Sequence, residues 1–187
     1  MAVENKSAFL IMDIQGPMVD GLPDKGEYLR SLHRATDAAR ANNLPVIYVV
    51  VGFRPSMPEF NPRSKGLRAL LSSGTADALI NPMPTVTPRE GDVVVTRSRV
   101  SAFAGSDLEI LLRAKEIEHL VLAGISTSGV VLSTLREAVD RDYVLTVLSD
   151  LCADRDEEVQ RVLTGKVFPR HAEVISSAEW VAALGNG

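Results

Sequence analysis

Asp13 and Arg97 each close an apolar strand-like run, SAFLIMD and DVVVTR. A carboxylate after the apolar stretch Ala8–Met12 is costly to bury unless it is paired or used. Asp13 is therefore a candidate general acid or base, with an aspartate that only caps a loop as the plain alternative. Arg97 keeps its proton, so it serves as an anchor for an anion or as a partner that fixes Asp13 as carboxylate. A structural ion pair is the plain alternative there. The third stretch with chemical potential is AGISTSGVVLSTLREA, Ala123–Ala138, which reads as strand end, tight turn and helix. Backbone N–H groups and the helix dipole at such a turn receive an anion or a developing oxyanion. A nucleophile belongs in this turn, yet position 130 is Val130, which has nothing to attack with.

The other reactive types offer less. Ser126, Thr127 and Ser128 are good N-cap residues, and a serine nucleophile needs a neighbouring base. His33 falls in the first helix, His119 opens a strand and His171 precedes the last strand, so none is placed to serve. Cys152, the single cysteine, follows the fifth strand without a basic neighbour and reads as a packing residue. Scattered histidines without a His/Asp cluster give no metal site, and no glycine-rich phosphate loop follows the first strand. No cofactor is expected.

Strand and helix patterns alternate along the chain. Strands are expected at Ser7–Asp13, Pro45–Val51, Asp92–Arg97, His119–Ala123, Tyr143–Ser149 and Ala172–Ile175. Helices are expected at Glu27–Asn42, Lys65–Leu71, Asp107–Lys115, Gly129–Asp140, Asp156–Lys166 and Ala178–Leu184. The strands are continuous apolar runs, the mark of burial on both faces. Such alternation predicts right-handed crossovers and a three-layer, doubly wound α/β domain with a six-stranded, mostly parallel sheet. One such domain, residues 1–187, accounts for the length. Ligands in these sheets bind beyond the carboxyl ends of the strands. That places Gln15, Phe53, Arg54, Phe103, Ile125, Ser126, Thr127 and Ser128 beside Asp13, Arg97 and Val130 as candidate substrate contacts. Gly52–Thr87, rich in Pro, Gly and Ser, reads as a lid or subunit contact.

A formal charge of −4 without a basic cluster argues against nucleic acid as partner. No apolar run approaches the roughly 20 residues of a membrane helix. The N-terminal MAVENKSAFLIMD lacks an export signal, and one cysteine excludes an internal disulfide framework. A cytoplasmic protein acting on a small molecule is expected.

Three blocks, LIMDIQ, TRSRVSAFAGSDLE and LVLAGISTSGVVLSTLREAVDRDYVLTVLSDLCAD, strongly resemble the isochorismatase-like hydrolase family over about Ser7–Trp180. The resemblance implies a six-stranded parallel sheet between helices and a homodimer or homotetramer. Most members use an aspartate, a lysine and a cysteine, which map onto Asp13, Arg97 and Val130. The resemblance also implies a non-proline cis peptide at Ile125–Ser126 and oxyanion donors at the N–H groups of Ser126 and Val130. The metal-binding Asp-x-His of nicotinamidases is replaced here by VVVGFRP. True isochorismatases also lack the cysteine, carry glycine there, and cleave a vinyl ether with the aspartate as acid. The expectation is an Asp-dependent, cysteine-independent hydrolase of a small anionic cyclic, carbonyl or enol-ether compound. The alternative is an inactive ligand-binding pseudoenzyme of the same fold.

Overall fold

The strands Ser7–Met12, Val46–Val51 and His119–Ile125 are largely apolar because both of their faces are covered. The computed structural model describes residues 6–72 and 76–185, so residues 1–5, residues 73–75 of the irregular segment and residues 186–187 lie outside it. In chain order the elements are β1 (Ser7–Met12), α1 (Gly16–Val19), α2 (Lys25–Ala41), β2 (Val46–Val51), α3 (Lys65–Ser72) and α4 (Ala76–Ile80). There follow β3 (Val93–Arg97), α5 (Leu108–Ala114), β4 (His119–Ile125), α6 (Leu132–Asp140), β5 (Val144–Ala153), α7 (Glu157–Val162), β6 (Glu173–Ile175) and α8 (Ser177–Leu184). The sheet order is β3-β2-β1-β4-β5-β6, and every pairing is parallel. The chain runs outward from β1 to β3, then returns to β4 on the other side of β1. The order reverses between β1 and β4, which opens a crevice at their carboxyl ends.

Alternate residues of each strand feed two cores. Ala8, Leu10, Met12, Leu120 and Leu122 pack with Leu108 and Leu112 of α5 and Leu135 and Ala138 of α6. Phe9, Ile11, Tyr48 and Val121 pack with Leu32, Ala35 and Ala39 of α2 and with Trp180 of α8. The Phe9 and Trp180 rings meet with centroids 5.0 Å apart. A third, smaller core of Val51, Phe53 and Leu79 lies beyond the end of β2, with Leu67, Leu70 and Leu71 of α3 against it. The irregular segment is thus seated on the sheet by its own apolar residues, and it contains α4 and a longer α3 than the sequence pattern suggests.

Three boundaries differ from the sequence expectation for physical reasons. β5 does not stop at Ser149 but continues to Ala153 after a shift of register between Leu122 and Gly124 of its partner. Asp150 reads as a strand terminator, yet its carboxylate accepts from the Ser177 N–H (2.7 Å) and hydroxyl (2.6 Å) and so holds the start of α8. The helices expected from Gly129 and through Lys166 each include one wide turn, Thr127–Val131 and Leu163–Val167, instead of continuous α geometry.

The β1–β4 contact leaves no room for a side chain at Gly124. A Cβ there would lie 2.6 Å from the Met12 carbonyl oxygen. Gly124→Ala is therefore expected to cost about 1–3 kcal/mol, with a fall in Tm of roughly 2–4 °C per kcal/mol. Thermal unfolding checks it, and an unchanged Tm contradicts the close packing.

Candidate functional site

β1 ends at Met12, and Asp13 takes a left-handed conformation (φ 54°) that aspartate tolerates better than most residues. Its N–H still donates to the Val49 carbonyl (2.8 Å), so the backbone stays tied to β2 as it turns. Arg97 is the last residue of β3, where it pairs with Val51. β1 and β3 are not neighbours; β2 lies between them. Two strand spacings amount to roughly 10 Å, a gap that the long arginine side chain spans across the end of β2. Arg97 Nε donates to Asp13 Oδ1 at 3.2 Å, and Nη2 donates to Oδ2. Nη1 donates to the Arg99 carbonyl. The pair is bidentate and closed off, with Asp13 4% and Arg97 6% exposed.

Burial pushes the Asp13 carboxyl above its ordinary range. The charge and hydrogen bonds of Arg97, and a backbone bond at Val51, pull in the other direction. Because the guanidinium cannot shed its proton, protonating Asp13 while the two are clasped would leave a cation buried alone. The resting pair is therefore ionic.

The wall opposite is the turn after β4. The Ile125–Ser126 peptide is cis, as the family resemblance implies. Ser126 accepts from the N–H groups of Gly129 (3.2 Å) and Val131 (3.3 Å). Gly129 fits because a Cβ there would meet Ser126 Oγ at 2.6 Å. Val130 is buried among Phe103, Val131 and Cys152.

The other candidates divide. Gln15 is fully committed to β2: its Oε1 accepts from Val51 N–H (2.9 Å) and its Nε2 donates to the Val51 carbonyl (3.4 Å). It holds the strand over which Arg97 reaches. Thr127 is buried and its hydroxyl donates to Gln160 Oε1 (2.6 Å), away from any ligand. Phe53 is buried in the small core beyond β2, with its N–H on the Leu79 carbonyl (2.8 Å). Arg54 is exposed and pairs with Glu59 (3.2 Å). Phe103 turns the other way: its ring stacks on Tyr143 (6.0 Å) and lies under Arg141 (4.8 Å), both next to the amino end of β5. Ile125 and Ser126 are partly exposed and Ser128 is exposed, so these three line the open side of the turn.

Cys152 lies within β5, buried, with its thiol on the Leu122 carbonyl (3.9 Å). Burial pushes the thiol up to about 12. Three further residues hold the site. Asp154 Oδ2 accepts from the Ser128 N–H (2.8 Å). Gln160 links the Thr127 hydroxyl to the Cys152 carbonyl (2.9 Å). The Thr134 hydroxyl accepts from Ala102 N–H (2.9 Å) and ties the loop after β3 to α6. Asp154 falls at a strand end and was findable on that ground; Gln160 and Thr134 carry no local signal. Among the described residues no group of His, Cys, Asp and Glu gathers into a metal site, and no helix is long and apolar enough to cross a membrane.

The fold agrees with comparisons to known proteins. The model of the isochorismatase domain matches residues 7–179, so the chain belongs to the isochorismatase family of hydrolases. It is 28% identical over 180 residues to the isochorismatase family protein YwoC of Bacillus subtilis, covering 94% of this chain and 93% of that one. It is 34% identical over 143 residues to the ureidoacrylate amidohydrolase RutB of Methylorubrum extorquens. That match covers 67% of this chain and spans a little over half, 56%, of the amidohydrolase. A solved isochorismatase family protein from Burkholderia thailandensis superposes with a TM-score of 0.80 at 27% identity, covering 98% of this chain and 97% of that one.

The clasp makes a stability prediction. Arg97→Met strands a buried carboxylate and is expected to cost about 3–5 kcal/mol, as is loss of the charge by Asp13→Asn beside the intact arginine. The double variant is expected to recover much of that loss. Urea unfolding of all four proteins measures the coupling; strict additivity contradicts the pair. Separately, native Cys152 is expected to resist iodoacetamide at pH 8 until the protein unfolds, and rapid labelling of the folded protein contradicts its burial.

Proposed function

We propose that this protein hydrolyses a small anionic cyclic, carbonyl or enol-ether compound without a covalent intermediate, and that the substrate itself opens the Asp13–Arg97 clasp. The carrying observation is the closed ion pair beside a turn with valine where a nucleophile would stand. A thiol route is absent at position 130, so water must be the attacking group.

The clasp supplies the logic. A substrate carboxylate offers Arg97 an alternative partner of the same geometry. Once Arg97 swings to it, Asp13 keeps its buried setting and loses the charge that held it down. Burial then favours the protonated form, which suits a general acid. With an amide or ureido substrate, water adds at the carbonyl carbon, the C–N bond breaks as Asp13 gives its proton to the departing nitrogen, and the proton released by the water returns to the Asp13 carboxylate. With an enol ether, the Asp13 proton goes to carbon, and water adds at the neighbouring carbon and returns its proton to Asp13. The hemiketal then breaks its C–O bond to give a carbonyl compound and an alcohol. The Ser126 and Val130 N–H groups face oxygen that gains negative charge in this step. Ureidoacrylate, named for the amidohydrolase relative, is itself a carboxylate compound, in keeping with an anion that engages Arg97.

A second reading rests on the same bidentate bonds. With both carboxylate oxygens occupied and the pair closed off, the protein would bind a ligand and turn nothing over.

Carboxylate-bearing ureido compounds, amides and enol ethers, ureidoacrylate among them, separate the readings by mass-spectrometric detection of product. The expected outcome is turnover that falls by at least about 100-fold in Asp13→Asn, the size of a general acid–base contribution. Turnover unaffected by Asp13→Asn overturns the acid role. Saturable binding without product, lost in Arg97→Ala, establishes the binding reading instead.

A further inference from the structure

Asp154 stands at the mouth of the turn and belongs to no step above. It follows β5 and reaches back to the turn, where Oδ2 accepts from the Ser128 N–H at 2.8 Å. Its other oxygen lies 3.4 Å from the Asp156 N–H. The neighbouring acids are differently used: Asp150 holds Ser177, and Asp156 caps α7 through the N–H groups of Glu158 and Val159. Among the described residues Asp154 has no ion-pair partner, so its charge is not cancelled by a cation. Burial alone would push its carboxyl up. Hydrogen bonds from the Ser128 side chain and backbone, and from the Asp156 and Arg155 backbone, outweigh that and hold it below the usual carboxylate range. It is a fixed negative charge at neutral pH, bonded to the residue two before position 130.

A helix start of this kind ordinarily attracts anions. Here the chain supplies its own. The opposite wall carries Arg97, whose charge Asp13 balances while the clasp is closed. Once a ligand anion opens the clasp, the crevice is polarised, with a carboxylate on the turn side and a guanidinium on the β3 side.

We infer that Asp154 is a specificity-determining residue: its carboxylate rejects anionic groups from the turn and forces a charged ligand to lie with its anionic end toward Arg97 and its uncharged, reacting end toward Ser126 and Val130. This rests on the reading of the turn as the place where the reacting group lies. It makes no use of turnover, so its failure and the failure of the hydrolytic reading are separable.

The test uses a thiol introduced by Ser126→Cys, on the partly exposed side of the turn, as a reporter, with labelled sites assigned by mass spectrometry to keep Cys152 apart. Asp154→Asn retains an oxygen for the Ser128 N–H and removes the charge. Iodoacetate carries a negative charge and iodoacetamide does not. With Asp154 present, position 126 is expected to react several-fold more slowly with iodoacetate relative to iodoacetamide than a free thiol does. Asp154→Asn is expected to raise the iodoacetate-to-iodoacetamide rate ratio by about 3- to 10-fold, the effect of one unit charge at close range. A purely structural role would alter both rates together and leave the ratio unchanged, which overturns the inference. The thiolate absorbance near 240 nm gives a measurement that needs no reagent access. Asp154→Asn is expected to lower the pKa of the introduced thiol by about 0.5–1 unit, as loss of a like charge does. An unmoved or raised pKa counts against it.

Discussion

A buried carboxylate and a buried guanidinium, joined across the end of a strand that belongs to neither, organise the working end of this molecule. Each would be prohibitive to bury alone. Together they fix where β1 and β3 end relative to each other, with β2 held between them. Gln15 grips Val51 by both backbone groups, and so secures the strand over which Arg97 reaches. The loop after β3 is fixed in turn, by Arg97 on the Arg99 carbonyl and by Thr134 on Ala102. The crevice follows from these few bonds and from the reversal of strand order between β1 and β4.

The same interaction that stabilises the resting state also blocks it. An aspartate whose oxygens are both taken by an arginine neither gives nor accepts a proton. In the proposed mechanism, chemistry requires an exchange of partners, and an anion of similar geometry is the fair competitor for a guanidinium. This ties the kind of substrate to the form of the resting site. Lysine in the same place would present a point charge and leave one carboxylate oxygen freer; the planar fork of arginine is what makes the lock two-handed. Opposite it, position 130 of the turn is a valine, which has no attacking group.

The sheet was legible because its strands are continuous apolar runs and its helices carry a regular stripe. Asp13 and Arg97 were legible because a charge at the end of such a run stands out. Their meeting was less so, since the sequence does not say that β2 intervenes, and only side-chain length closes the gap. The turn Ala123–Ala138 was legible as strand end, turn and helix from its spacing, while its wide first turn depends on Ser126 accepting from Val131, a bond with no sequence mark. Phe103 illustrates the limit from the other side. Its position near Arg97 in sequence suggests a ligand contact, but the loop turns it toward Arg141 and Tyr143. Gln160 was invisible because it acts from a helix on a distant turn, through a single hydrogen bond at each end.

The lock between Asp13 and Arg97 is open to direct observation by arginine-selective ¹⁵N nuclear magnetic resonance of the ligand-free protein. A guanidinium held at both edges rotates slowly about its Cζ–Nε bond. The account predicts a separate, water-protected set of Nε and Nη proton signals for Arg97 at neutral pH, collapsing in Asp13→Asn. One averaged Nη signal in rapid exchange with water, unaltered when Asp13 is changed, would contradict it.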